Sequence, residues 1–495
     1  MQGLINFSAQ VFNAYTLLME RGAQVYLAGG AVRDYVMGTE INKDLDFEVY
    51  GLQPDELHSV LGQAGVVQAV GKSFGVYLLV GANAEFALPR RESKQGRGHK
   101  GFMVEFDPTL STYEATLRRD FTMNSMLIDM EDGYITDHHG GVVDIQSKRL
   151  RATSIAFMED PLRVLRGMQF ISRFNLRASI RTVFYSREML AEAITLSKQR
   201  LWWEWYKWGT LGTELGKGLD FLRDTNWIKL WPMLDDLKGV EQDPGWHPEG
   251  DVWEHTKIVV DNAKLFAYGD KLSSDDAMIQ VLVALLHDTG KVYTTVINPD
   301  TGRIIAPKHE AVSVDKATQF MDSINTPIWM QQRVRPLVQE HMFRRGRQQE
   351  GGVTHRAVRR LSVRLDPATI QQLTSFMQAD AGGRLGHVDA FARHVNVVAA
   401  EVQVEDSKPR PILMGRDLLD EGLEPGPIFG EILAVAYEAQ LDGDFEDHGV
   451  AIDWLKDYLL SRENPMKKWG HAPPNPTAGN EVNPPQGHRY DSEDG

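Results

Sequence analysis

The sequence predicts an α+β protein: an N-terminal α/β head built on a mixed sheet with helices, followed by domains that are all helical. Three observations carry this. Residues 1–150 alternate short β-like runs with helical stretches, as expected of a sheet covered by helices. From residue 151 onward the reading is helical. The 495 residues also exceed what one hydrophobic core usually organises. The predicted domains are 1–150, the helical blocks 151–240, 241–410 and 411–462, and a tail at 463–495. That tail is rich in Pro, Asn and Gly with few aliphatics, a composition that reads as disordered.

Taken in order, Val25–Ala28 reads as a strand and Ala31–Met37 as a helix, with Gly29 and Gly30 in the tight turn between them. Bare backbone N–H groups at such a helix start can hold phosphate oxygens. Next comes the run 44–50, in which Asp44 and Asp46 occupy i and i+2 of a strand. Both carboxylates then face one side, an arrangement that suits Mg²⁺. A phosphate cradle followed by a same-face Asp pair is what metal-dependent transfer of a nucleotide needs; the bland alternative is a turn and two solvated acids. Val76–Val80, Glu85–Leu88 and Met126–Asp129 are further strands, and Glu85 is a candidate third carboxylate for the same cavity. Arg118, Arg119, Asp120 and Asn124 fall within two helical turns and combine cations, an anion and an amide, a set suited to a triphosphate and a ribose hydroxyl.

Composition limits the partners. No stretch approaches the roughly 20 apolar residues of a membrane span, and no charged-then-apolar signal pattern opens the chain, so a cytoplasmic protein without a membrane partner is expected. The absence of cysteine excludes disulfides and thiolate metal sites. A net charge of −15 argues against indiscriminate nucleic-acid binding, and DNA is not an expected partner. Two local basic clusters are candidates for RNA: Arg90, Arg91, Lys94, Arg97 and Lys100, and Arg344, Arg345, Arg347, Arg356, Arg359 and Arg360. For each, a solvated charged face is an equal alternative. The aromatic run Leu201–Trp208 reads as core and interdomain packing before a base-stacking platform. The oligomeric state is not encoded in any of these features.

The order Gly29-Gly30-Ala31-Val32-Arg33-Asp34, then Asp44-Leu45-Asp46, resembles the catalytic head of the nucleotidyltransferase superfamily. Leu117–Met126, Asp137-His138-His139-Gly140-Gly141 with Asp144-Ile145, and Glu159–Arg166 are similar to successive motifs of the bacterial-type (class II) CCA-adding tRNA nucleotidyltransferases, close relatives of bacterial poly(A) polymerases. The resemblance is strong over residues 21–210 and weaker to about 410. It implies tRNA, CTP and ATP as partners and Asp44 and Asp46 as catalytic Mg²⁺ ligands. The nucleotide-binding set it implies is Gly29, Gly30, Arg33, Asp34, Arg118, Arg119, Asp120, Asn124, Glu159, Asp160, Arg163 and Arg166. On a helix Asp160 and Arg163 share a face, and Glu159 lies where it can hold the Arg163 guanidinium. A fixed carboxylate accepts from the exocyclic amine that cytosine and adenine offer, and this is how the family is understood to choose CTP and ATP without a nucleic-acid template. One departure is Gln199-Arg200, where the family usually has Glu-Arg. CC-only or A-only addition and poly(A) synthesis remain open at this stage.

The block 241–410 holds a second chemistry. His255, His287-Asp288, His309, His341 and Asp380 follow an order that resembles the HD-domain metal phosphohydrolases. Imidazoles with carboxylates can bind Ni²⁺, Mn²⁺ or Co²⁺ and activate water toward a phosphoester. Trp246-His247-Pro248-Glu249 and Ala379–Arg384 look most like the HD-bearing subgroup of the CCA-adding enzymes, which implies 2′,3′-cyclic phosphodiesterase and phosphatase activity. Two competing accounts are a metal-free HD domain that docks tRNA and an HD phosphohydrolase whose head only binds RNA.

Overall fold

The computed structural model describes residues 7–39, 41, 45–71, 75–94, 102–107, 109–343, 352–382 and 390–463. Asp44, Arg97, Lys100, Arg344, Arg345, Arg347, Arg384 and residues 464–495 lie outside that set. The chain divides into two compact units, 1–354 with 361–408, and 355–360 with 409–495. Among the described residues no helix is long and apolar enough to cross a membrane.

Among the described residues the head contains the strands β1 Gln24–Ala28, β2 Leu45–Tyr50, β3 Val67–Gly71, β4 Val76–Leu79, β5 Ala84–Ala87, β6 Arg90–Lys94, β7 Phe102–Phe106, β8 Leu127–Asp129 and β9 Ile135–Thr136. Seven of them form one sheet in the order β3-β4-β5-β2-β1-β8-β9, while β6 and β7 make a separate hairpin. The sheet is mixed, as predicted, because β2 pairs parallel with β5 and antiparallel with β1. Alternation along β2 sorts its side chains. Leu45, Phe47 and Val49 are buried on one face, where Phe47 stacks on Phe86 at 4.9 Å. Asp46, Glu48 and Tyr50 occupy the other.

Everything that follows is mostly helical. The helices Leu162–Phe174, Lys198–Leu211 and Leu215–Asp224 pack on one another. The aromatic run of the second supplies core, since Trp202, Trp205 and Trp208 are buried and Trp205 meets Trp231 and Phe320 edge-on at 5.0 and 5.1 Å. Trp203 is the exposed exception. The next block joins this one through Val252–Gly269, whose Lys257 pairs with Asp220 at 3.0 Å and whose Asp261 accepts the Gly216 N–H at 3.1 Å. The smaller unit has its own apolar core, in which Leu413, Leu418, Ile432, Phe445 and Leu455 are buried. Within it Arg356 and Arg360 pair with Asp442, Arg360 also with Glu438, and Arg359 with Glu446. Those three arginines therefore hold acids of their own unit, and Arg91 likewise holds Asp107 and Glu114.

Two helical expectations are corrected. The helix Thr112–Leu117 ends before Arg118; Phe121 is extended and bridges to Ala152, and only Thr122–Asn124 turns again, as a 3₁₀ segment. The second correction concerns Glu159 and Asp160. A 3₁₀ turn, Ile155–Glu159, stops at Asp160, which is extended at φ −123°, ψ 108°, before the helix Leu162–Phe174 begins. Pro161 is the cause, since its ring disfavours helical backbone at the residue preceding it.

A nucleotide-sized cleft and a buried histidine centre

The turn between β1 and the helix Gly30–Val36 sits over the carboxylate of Asp46. Gly29 has φ +69°, and a Cβ there would lie 3.0 Å from Asp46 Oδ2 and 3.4 Å from Arg119 Nη1, so this position needs both the left-handed backbone and the missing side chain. The cleft that opens beside it has a volume of about 460 Å³ and is lined by Gly29, Gly30, Arg33, Asp46, Arg118, Arg119, Asp120, Asn124, Asp160, Leu162, Arg163, Arg166 and Arg200. Six arginines face three carboxylates there, which makes the cavity an anion site in a chain of net charge −15. Of the predicted nucleotide-binding residues, Asp34 and Glu159 do not line it. Asp34 instead accepts the Arg33 Nε–H at 2.8 Å.

The walls are fixed by a hydrogen-bonded network. Arg33 Nη1 donates to Asn124 Oδ1 at 2.9 Å, and the Asn124 amide donates to Asp120 Oδ1 at 3.0 Å. Asp120 Oδ2 accepts from Arg166 at 2.7 Å. Burial would raise the Asp120 carboxyl, yet Arg166 and the Asn124 amide hold it below its ordinary range. Asp160 and Arg163 both line the cleft but are positioned differently from the helical expectation. Arg163 donates to the carbonyls of Ala156 and Arg118, at 2.5 and 2.6 Å, in place of the predicted Glu159 contact. Asp160 caps Leu162 N at 3.0 Å through Oδ1 and accepts from Arg200 at 2.7 Å through Oδ2. Arg200 is thus the partner of Asp160, a role the run Gln199-Arg200 did not reveal.

Glu85 lies in register with Asp46 on the parallel neighbour strand, and both are exposed on that face. Glu48 was missed altogether, although strict alternation from Asp46 places it on the same face. It is 4% exposed and paired with Arg119, and with Arg118 this cation keeps its carboxyl low against the upward pull of burial. The motif at 137–144 is structural. Asp137 caps Gly141 N and Val142 N at 2.8 and 3.0 Å, and the fully buried Asp144 holds Arg149 and Arg151 at 2.6 and 2.7 Å.

The second centre brings together all six predicted residues, none more than 3% exposed: His255, His287, Asp288, His309, His341 and Asp380. They arrive from five helices or helix ends. His255 is in Val252–Gly269, His287-Asp288 follows Ser274–Leu286, His309 opens His309–Ser323, His341 closes Ile328–Glu340, and Asp380 is in Ile370–Gly382. The tautomers follow from hydrogen bonds. Nδ1 of His287, His309 and His341 lies 3.0, 2.7 and 2.7 Å from the carbonyls of Ala284, Ala306 and Val338, and Nδ1 of His255 lies 2.7 Å from Glu249 Oε1. Each Nδ1 must donate, so that in the neutral ring each inward-facing Nε2 carries the lone pair a metal would take. Nε2 of His309 and His341 are 3.0 Å apart, His255 Nε2 is 3.0 Å from Asp380, and His309 Nε2 is 3.2 Å from Asp288. Nε2 of His255 and of His287 are buried without a well-directed hydrogen bond. Lone pairs facing one another among carboxylates repel unless a cation lies between them, so the donor set fits a metal ion.

Two residues of this centre were not predicted as part of it. Glu249 accepts from both His247, at 2.9 Å, and His255, and these donors hold it down at about 2 despite burial. With a metal on His255 Nε2, Glu249 would be the carboxylate that orients the ligating ring. Lys291 reaches Asp288 Oδ2 and Gln242 Oε1, both at 2.7 Å.

Known proteins carry the same two parts. Residues 25–151 match the family model described as the poly A polymerase head domain, and residues 252–371 match the HD domain. The chain is 34% identical to the multifunctional CCA protein of Xanthomonas campestris pv. campestris (strain B100), over 83% of this chain and 97% of that one. It is 35% identical to that of Xylella fastidiosa (strain M23), over 74% and 85%. A similar fold occurs in the Bacillus stearothermophilus CCA-adding enzyme in complex with CTP, at a TM-score of 0.63 and 18% identity over 92% of this chain and all of that one. The Thermotoga maritima CCA-adding enzyme complexed with tRNA follows at 0.56 and 17%, over 92% and 97%.

Proposed function

The chain belongs to the multifunctional CCA proteins, class II CCA-adding enzymes with a poly(A)-polymerase-type head and an HD domain, and from that membership we propose that it adds CCA to the 3′ end of tRNA in the cytoplasm. It takes CTP and ATP and uses no nucleic-acid template. The observation that carries this is the shared cleft, in which the glycine turn and Asp46 form one end and Asp160 with Arg163 another part of the lining. We assign the work to the head, 1–150, and the helical block 151–240, with the HD block at 241–410, a helical region at 411–462 and a tail at 463–495.

Each residue has a task. The N–H groups at Gly29 and Gly30, with Arg118, Arg119 and Arg166, take the triphosphate, while Asp120 and Asn124 keep Arg166 and Arg33 in place beside the sugar. The carboxylate oxygens of Asp46 fit Mg²⁺, which when bound would neutralise the phosphates and assist attack by the tRNA 3′ hydroxyl; Asp44 is assigned to the same ion from its motif alone. Asp160 retains lone pairs after accepting from Arg200 and Leu162 N, and those accept the exocyclic amine of cytosine or adenine. Arg163, immobilised by two carbonyls, donates its remaining N–H groups to the base edge.

The HD centre supports a second activity, hydrolysis of 2′,3′-cyclic phosphates and phosphomonoesters, because four imidazole Nε2 atoms converge there on the carboxylates of Asp288 and Asp380, a mixed nitrogen and oxygen donor set. Ni²⁺, Mn²⁺ or Co²⁺ held there would supply the water for hydrolysis. Glu249 fixes the His255 ring, and Lys291 sets the Asp288 carboxylate.

The test of base selection uses tRNA transcripts ending before CCA, before CA or before A, each with one labelled nucleotide at a time. The unmodified protein should accept CTP on the first two and ATP on the third. Asp160→Ala should cut discrimination against UTP and GTP by roughly 10–100-fold, about 1–3 kcal/mol, with tRNA affinity little changed. Arg200→Met should do the same more weakly. Unchanged selectivity with a fall only in tRNA affinity would contradict the assignment.

A further inference from the structure

We infer that Glu48 is a positioning residue for the triphosphate: backed by Tyr50, it pins the Arg119 guanidinium at the phosphate end of the cleft. This rests on reading the cleft as a nucleoside triphosphate site. A carboxylate 4% exposed persists only if its oxygens are paired. Here both are: Oε1 accepts from Arg119 Nη2 at 2.5 Å and Oε2 from the Tyr50 hydroxyl at 2.8 Å. Tyr50 is itself buried, packed edge-on against Tyr26 at 5.5 Å with Leu110 and Ala115 around it.

Arg119 therefore starts from a fixed position. Its Nη1 donates to the Asn124 carbonyl at 3.0 Å and lies 3.4 Å from where a Gly29 Cβ would be, directly beside the turn. Its side chain is 18% exposed, so a limited face of the guanidinium meets the cleft. An arginine already ordered loses little rotamer entropy on meeting an anion, and the planar fork keeps the same aim for each nucleotide added. A buried acid that acted only by neutralising Arg119 would have the opposite effect and weaken the grip. The two differ in sign.

Equilibrium titration of CTP with Mg²⁺, and of CMP, separates them in the full-length protein. Glu48→Gln should weaken CTP about ten-fold, the loss of one charge-assisted hydrogen bond, while CMP changes by less than about two-fold. Tyr50→Phe, which keeps the ion pair and spares the fold, should weaken CTP about three-fold. In an Arg119→Met background Glu48→Gln should add nothing, because the residue acts through Arg119. Steady-state assays on tRNA lacking CCA should show the loss in KM for CTP more than in kcat. Unchanged or tighter CTP binding in Tyr50→Phe and Glu48→Gln, or a full additive loss in the Arg119→Met background, overturns the inference. Failure of the unmodified protein to bind CTP would instead overturn the nucleotide reading on which it stands, and this inference with it.

Discussion

Asp46→Ala is expected to lower nucleotide incorporation by roughly 10²–10⁴-fold, the equivalent of several kcal/mol of transition-state charge stabilisation. The Asp46 side chain is the exposed one of β2 and stands beneath the Gly29 turn, where its Oδ2 is 3.0 Å from the missing Cβ. Its removal takes one oxygen ligand from the place where phosphates and an attacking hydroxyl must meet. The strand does not depend on it, since Phe47 and Val49 supply the buried face, so the thermal midpoint should move by no more than an ordinary surface substitution does. The same loss is expected for Asp44→Ala from the resemblance of its motif. Near-normal incorporation in both variants would remove the pair from the mechanism.

His287→Ala and Asp288→Ala should each eliminate metal-stimulated hydrolysis of 2′,3′-cyclic AMP and spare most nucleotide addition. The two centres draw on different donors: carboxylate oxygen in the head, and imidazole with carboxylate in the buried histidine cluster. Metal content of the purified variants, measured alongside activity, should fall with the hydrolysis. Some loss of nucleotide addition is compatible with this, because Lys257 and Asp261 tie the HD block to the helix Leu215–Asp224. The ratio of the two losses is therefore decisive. Hydrolysis that persists in both variants under saturating metal, or is absent from the unmodified protein with Ni²⁺, Mn²⁺ and Co²⁺ alike, would return these histidines to a structural role.

The histidine centre was legible because histidines and aspartates recur along the chain in a characteristic order, and all six of these residues meet in the fold. The Gly29 turn and the Asp46 face were legible because strand alternation and a glycine pair are local features. What escaped depends on contacts distant in sequence. Glu48 reads as one more strand residue until Arg119, 71 positions away, is brought against it. Arg200 similarly meets Asp160 across 40 positions. The helical face expected to join Asp160 to Arg163, with Glu159 holding Arg163, fails for a reason present in the sequence, since Pro161 disfavours helical backbone at Asp160. The break after Leu117 is different: Phe121 leaves the helix to pair with Ala152, a tertiary contact that no local pattern announces.

The central claim is that the head adds a fixed, short sequence without a template. The most direct test is the product formed on a tRNA transcript lacking CCA, with CTP and ATP both in excess, resolved at single-nucleotide length and sequenced at its 3′ end. The account predicts a product three nucleotides longer that ends in CCA and does not grow with time. A ladder of adenosines that lengthens with time, or a product that stops at CC or fails to start with C, would contradict it.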